Sequence, residues 1–249
     1  SGFVLDGNNN RLTFMAENDY LTPVTQFRLD HCVIKNSKGS LMHFYGEVYG
    51  VIDNNELRGD TCPSFVTRDF SLNEKTWSNI TFDFGSVNNR YYEDNIIYLG
   101  PYGSSNEGGL GGRYCVRYNT FHNVGGSGVQ PWFDMHGNMG TSGNLSTMGA
   151  EIYGNVIYTG NMSLTFFDHR GGRLIAYNNT AYDVRGINGA KAREEYLDSL
   201  NPPAANPAGQ PQHVSDSYYW NHVANGSVIY DYHISQTLDY GGTTGAVPG

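Results

Sequence analysis

An asparagine returns to the same place in a short motif along most of this chain, and that recurrence limits the folds open to it. The motif reads apolar, two variable positions, Asn, one variable position, apolar. It runs Ile52-Asp-Asn-Asn55-Glu-Leu, Tyr92-Glu-Asp-Asn95-Ile-Ile, Val116-Arg-Tyr-Asn119-Thr-Phe, Ile152-Tyr-Gly-Asn155-Val-Ile, Ala176-Tyr-Asn-Asn179-Thr-Ala and Tyr218-Tyr-Trp-Asn221-His-Val. An earlier copy, Leu29-Asp-His-Cys32-Val-Ile, carries cysteine at the asparagine position. The steps between copies are 23, 40, 24, 36, 24 and 42 residues, so a short unit alternates with a longer one. Units this small cannot bury a core alone and must stack on one another. Stacked strands repeat every ~4.8 Å, which places equivalent residues in columns along the stacking axis. Asparagine suits a sharp turn in such a column. It tolerates the left-handed backbone region, and its amide can bond the neighbours above and below.

Composition agrees with an all-β chain. Charged residues make up 16% and apolar residues 39%, with 32 Gly and 19 Tyr, which is too aromatic for disorder and too rich in turn formers for a helical protein. The net charge of -9 argues against nucleic acid as a partner, since phosphate binding needs a concentrated Lys/Arg surface. No apolar run approaches the ~18 residues of a membrane span. The three cysteines, Cys32, Cys62 and Cys115, lack metal-ligand spacing. They read as buried free thiols, with one bridge such as Cys32 to Cys62 as the alternative.

The extra residues of the longer units fall at about 58–78, 138–149 and 185–213. In the third, Ala190-Lys-Ala-Arg-Glu-Glu-Tyr-Leu197 reads as a short helix. The insertions either wall a groove or simply cover the surface. One domain over 1–249 is expected, with 1–26 as an atypical first coil or cap and 236–249 as a Gly-rich tail. The lack of an amphipathic capping helix suggests excision from a longer parent chain or capping by a partner.

Stacked Asn turns on coils of this length resemble the right-handed parallel β-helix superfamily, the pectate-lyase-like group. It includes polysaccharide lyases, polygalacturonases, alginate epimerases and phage tailspikes. The resemblance covers residues ~27 to ~235 and implies an all-β, right-handed parallel β-helix of about seven coils with insertions in alternate coils. It also implies an extracellular or cell- or virion-surface protein that meets polysaccharide. The superfold hosts many activities and some structural roles, so function must come from the site.

Two coils align further by their glycines. Trp132-Phe-Asp134-Met-His136-Gly lies over Phe166-Phe-Asp168-His-Arg170-Gly. Strand alternation then puts Trp132, Asp134 and His136 on one face beside Phe166, Asp168 and Arg170. Leu41-Met-His43-Phe-Tyr45-Gly fits the same frame and adds His43 and Tyr45. Asp134, His136, Asp168 and Arg170 are the catalytic candidates, and Trp132, His43, Tyr45 and His169 the substrate contacts. Two chemistries suit them. In β-elimination from an acidic polysaccharide, the resemblance implies Arg170 as base and calcium on Asp134 and Asp168. In hydrolysis, Asp134 and Asp168 share acid and base duty. A third reading is a non-catalytic adhesive or tailspike-like module, with a homotrimer as one form of it, in which these residues form plain surface ladders.

Overall fold

The computed structural model describes residues 2–10, 12–17, 22–62, 65–70, 82–100, 104–125, 132–137, 145–192, 214, 216–229, 232–234, 237–238 and 244–245. These contain no helix. They form three long sheets, and within each the hydrogen-bonded neighbours are strands three apart along the chain, apart from Ser227–Ile229 on the first sheet and Tyr232–Ile234 on the second. The topology is that of a parallel β-solenoid.

The first sheet stacks Val4–Asp6, Val33–Lys35, Glu56–Gly59, Ile96–Leu99, Thr120–Asn123, Val156–Tyr158, Thr180–Tyr182 and His222–Ala224. An antiparallel strand, Ser227–Ile229, folds back on the last of these and closes that edge. The second sheet stacks Leu12–Glu17, Ser40–Tyr45, Phe65–Phe70, Ser104–Gly109, Phe133–Met135, Ser163–His169, Gly186–Ala192 and Tyr232–Ile234. The third stacks Val24–Asp30, Val48–Asp53, Arg90–Glu93, Arg113–Arg117, Gly149–Tyr153, Arg173–Tyr177 and Tyr218–Trp220. Alternate residues of each strand point inward, so Phe44, Leu57, Ile97, Phe121, Phe133, Ile152 and Phe167 meet in one continuous core.

The asparagines stand in a buried ladder at the corner between the third and first sheets. The backbone N–H groups of Cys32, Asn55, Asn95, Asn119 and Asn155 donate to the Oδ1 atoms of Asn55, Asn95, Asn119, Asn155 and Asn179, at 2.9–3.0 Å. Each Nδ2 donates back to a carbonyl of the preceding coil, from Leu29 through Ile152. Two details differ from expectation. The left-handed residue is the one before the ladder: His31, Asn54, Asp94, Tyr118, Gly154, Asn178 and Asn221 all have φ between 53° and 66°. The ladder asparagine supplies hydrogen bonds, and its predecessor makes the turn. In the last coil the ladder position is His222, whose Nδ1 lies 3.3 Å from Asn179 Nδ2. Asn221 is exposed and pairs with Asn178 at 2.6 Å, because the third-sheet register sets Tyr177 opposite Trp220.

Tyr118 is bulky for a left-handed position. Its ring lies over Gly154 in the next coil, where a Cβ would come within 2.8 Å of the tyrosine. That close approach requires glycine.

Inside the solenoid a fully buried ion pair ties the second sheet to the third. Arg90 donates to Asp69 at 3.1 Å and to the carbonyls of Val48 and Gly46 at 3.1 and 2.6 Å, while Tyr92 donates to Asp69 at 2.8 Å. The three cysteines are buried free thiols, so the alternative bridge is not made.

The extra residues of the long coils all fall in one connection, between a second-sheet strand and the third-sheet strand that follows. They lie between Phe70 and Arg90, between Met135 and Gly149, and between Ala192 and Tyr218. Much of each lies outside the described residues. The insertion placed at 58–78 begins too early, since Phe65–Phe70 is a second-sheet strand. The expected helix at 190–197 is strand up to Ala192, and its remainder lies outside the described residues. The Gly-rich run 108–113 is the tight equivalent of this connection in a short coil, turning at Leu110 and Gly111, both with positive φ.

Candidate functional site on the second sheet

Outward-facing residues of the second sheet line up by register. Met15 stands beside His43, His43 beside Arg68, Arg68 beside Glu107, Glu107 beside Asp134, Asp134 beside Asp168, and Asp168 beside Lys191. Two residues further along each strand runs a second outer column through Glu17, Tyr45, Phe70, Gly109, His136 and Arg170. The Arg170 N–H donates to the Met135 carbonyl at 2.9 Å, which continues the ladder and sets Arg170 next to His136. The alignment of Asp134 with Asp168 made from glycines is therefore the observed register. His43 and Tyr45 do share this frame, with Arg68 and Glu107 standing between His43 and Asp134.

The backbone under the site is anchored to the core. Phe133 and Met135 point into the core, with Phe133 stacked on Phe167 at 5.9 Å. The Tyr114 hydroxyl donates to the Asp134 carbonyl at 3.2 Å from across the interior. The paired strand Ser163–His169 carries register shifts against Gly186–Ala192 on either side of Thr165, irregularities of the kind that re-aim side chains beside functional sites.

On this frame sits a mixed cluster. Arg170 donates to both oxygens of Asp134 at 2.7 Å each, and its Nε lies 3.2 Å from Asp134 Oδ1 and 3.8 Å from Asp168. Asp134 is 4% exposed and Arg170 7%, so this is a desolvated bidentate pair. His136 Nε2 lies 2.9 Å from Glu107 and 3.5 Å from Asp134. Glu107 also meets Arg68 at 2.7 Å. Three carboxylates on consecutive rungs are thus bracketed by two guanidinium groups, with an imidazole among them. The His136 side chain is 17% exposed and is the most accessible of the four catalytic candidates. Burial pushes the Asp134 carboxyl above the usual carboxylate range, with Arg170 and His136 pulling the other way and Asp168 adding to the rise.

His43 and Tyr45 form the neighbouring aromatic part. Their side chains approach at 3.3 Å, and Tyr45 meets Phe70 edge-on at 5.9 Å. Burial, then Arg68, lowers His43 to about 4, and burial raises Tyr45. Trp132 and His169 do not reach this surface. Trp132 packs edge-on against Phe121 in the core at 6.2 Å. His169 takes the inward parity, opposite Met135, and is fully buried between the Tyr219 hydroxyl and the Gly172 carbonyl at 2.5 and 3.0 Å. Burial lowers it to about 4.

Glu107 and Arg68 complete the cluster, and neither stood among the sequence candidates. Ser104-Ser-Asn-Glu107-Gly-Gly has no apolar alternation to mark a strand. The signal that finds them is distance from the ladder. His43, Arg68, Glu107, Asp134 and Asp168 follow their ladder residues by 11, 13, 12, 15 and 13 positions.

Ligand atoms of Glu107, Asp134 and His136 lie within 4.8 Å of one another. Calcium takes about six to eight oxygen ligands, and both oxygens of Asp134 are already committed to Arg170. The set is short of donors for the calcium implied on Asp134 and Asp168, and its imidazole is foreign to a hard oxygen cage.

Comparison with known proteins yields no matching family model, no matching curated protein and no matching solved structure.

Proposed function

We propose that this chain is a carbohydrate-active parallel β-helix of the right-handed, pectate-lyase-like kind, working outside the cell or on a cell or virion surface. Its substrate is a polysaccharide lying across the outer face of the second sheet, and its reaction is hydrolysis. The observation that carries the reading is the run of carboxylates Glu107, Asp134 and Asp168 on consecutive rungs around His136.

Glycoside hydrolysis needs a protonated acid for the leaving oxygen and an ionised partner to activate water or attack the sugar. Asp134, clasped on both oxygens by Arg170, supplies the ionised partner. Glu107 and Asp168 flank it about 4.8 Å away on either side, one rung each, and one of them supplies the acid. His136, oriented by Glu107 at 2.9 Å, relays the proton. Tyr45 and His43 offer the sugar an aromatic contact.

β-Elimination loses its base on this geometry. Arg170 is clasped by one carboxylate and lies near a second, and nearby anions favour the charged guanidinium. A second reading, the adhesive or trimeric spike-like module, draws support from one fact: the charged groups largely satisfy one another, as surface ladders do.

The test is incubation with a broad polysaccharide panel, with calcium and with chelator, following new reducing ends and unsaturated products separately. The expected result is reducing ends without unsaturated product, insensitive to chelator. Asp134→Asn should lower the rate by roughly 10²–10⁴-fold. Calcium-dependent unsaturated product lost in Arg170→Ala would establish the lyase instead, and silence across the panel would move the assignment to the adhesive module.

A further inference from the structure

We infer that the polysaccharide taken by this face is uncharged. The inference rests on the carbohydrate reading above and names the substrate class for that site. Register orders the charged side chains that the described strands present along the two outer columns. The carboxylates are Glu17, Glu107, Asp134 and Asp168, the guanidinium groups are Arg68 and Arg170, and the histidines are His43 and His136. Four carboxylates stand against two guanidinium groups, so the strip carries no positive excess even with His136 charged.

The arginines are also committed. Arg170 is bidentate on Asp134 within the buried part of the site, and Arg68 meets Glu107 at 2.7 Å. His43, the remaining basic type near Arg68, is held to about 4 by burial and by Arg68 itself, so it is neutral at ordinary pH. A polyuronate would bring one carboxylate per sugar against a face that repeats every ~4.8 Å. Each would meet a cation already paired, or a carboxylate, and like charges brought together oppose binding. A polyamine glycan has the converse difficulty, because three of the four carboxylates lie beside cations. Neutral hydroxyl groups bring no charge to be repelled, and the Tyr45 and His43 rings offer the sugar an aromatic face. The absence of a carboxylate on the sugar also fits hydrolysis, since elimination requires one to acidify the proton.

The experiment is affinity electrophoresis of the full chain in gels holding hydroxyethylcellulose, galactomannan, soluble starch, polygalacturonate, alginate or chitosan, at low and high salt. We expect at least one neutral polymer to retard the protein, with retardation unchanged by salt, and no retardation by the polyuronates. Glu107→Gln releases the partly exposed Arg68 and should raise affinity for polygalacturonate by roughly fivefold, the effect of one added surface charge pair, in a salt-sensitive way. Asp168→Asn makes the same change in net charge without touching the Arg170–Asp134 contact, and serves if the first variant fails to fold. Retardation of the wild type by a polyuronate or by chitosan as strong as by any neutral polymer overturns the charge assignment and leaves the carbohydrate reading standing. No retardation by any polymer overturns both.

Discussion

The asparagine ladder invites a direct measurement of what it contributes. Asn119 stands in its middle. Its Oδ1 accepts from the Asn95 N–H at 3.0 Å and from Asn95 Nδ2 at 2.9 Å. Its Nδ2 donates to the carbonyls of Tyr92 and Arg117 at 2.8 and 2.9 Å and to Asn155 Oδ1 at 3.1 Å. Asn119→Ala strips the buried Asn95 amide of its acceptor and the Tyr92 carbonyl of its donor. Each stranded buried group costs about 1–3 kcal/mol, and the remaining contacts are partly replaced, so the total comes to about 4 kcal/mol. Asn119→Asp should lose at least as much, because it turns the Nδ2 donor into an acceptor that faces three others. Asn221→Ala is the control: it removes one exposed bond and one residue suited to the left-handed region, for about 1 kcal/mol. Urea unfolding followed by circular dichroism reads all three as shifts in midpoint at constant slope. A loss below about 1 kcal/mol in Asn119→Ala would refute the claim that the side-chain amides hold the corner, leaving coil stacking to the core alone.

Other expectations follow from the buried ionisable groups. His169 and His222 are fully buried and lowered to about 4 by burial. The unfolded chain therefore takes up protons first as pH falls through 6.5, and stability present above that point is lost down to about pH 4. The loss is about 3 kcal/mol for each histidine; His222→Asn, which gives the last coil a ladder amide, should remove one proton's worth of the slope in urea midpoints between pH 7 and 4.5. Arg170→Met leaves Asp134 buried without its partner and should cost about 3–5 kcal/mol, whereas Arg170→Met with Asp134→Leu should recover most of it. A double-mutant cycle by thermal or urea unfolding with near-additive losses would contradict the pairing. Cys32, Cys62 and Cys115 are buried, and burial, then Asp60, pushes the Cys62 thiol up to about 12. A thiol reagent should find none of the three in the native protein at neutral pH and all three in denaturant; rapid native labelling of any one would place it at the surface.

The fold was legible because its strongest signal is a spacing. A ladder residue every coil survives any change in the strands between, so Asn55, Asn95, Asn119, Asn155 and Asn179 announced the stack without an alignment. Where the ladder changes chemistry, at His222, the pattern pointed one residue early, since Asn221 is an asparagine doing a different job. The Asp134–Asp168 register was readable because His136-Gly and Arg170-Gly follow at equal distances. Glu107 was hidden because its strand consists of small polar residues and glycine, whose burial is fixed by neighbours in space and not by periodicity. Trp132 and His169 were misplaced for a related reason. His169 alternates inward between two outward charges, and Trp132 lies where the outward parity is itself covered by the core near Phe121.

The ladder also has a direction. Every backbone amide in it donates forward, to the oxygen of an asparagine that has not yet been made when its own coil leaves the ribosome. Each coil on emerging thus settles its predecessor's open bond and leaves one of its own. Assembly from the amino end never strands more than a single amide, and the growing tip always presents the donor that the next asparagine requires. His222 ends this succession with a ring nitrogen in place of the amide oxygen, and the chain then reverses into the hairpin ending at Ile229, where parallel growth of the first sheet stops.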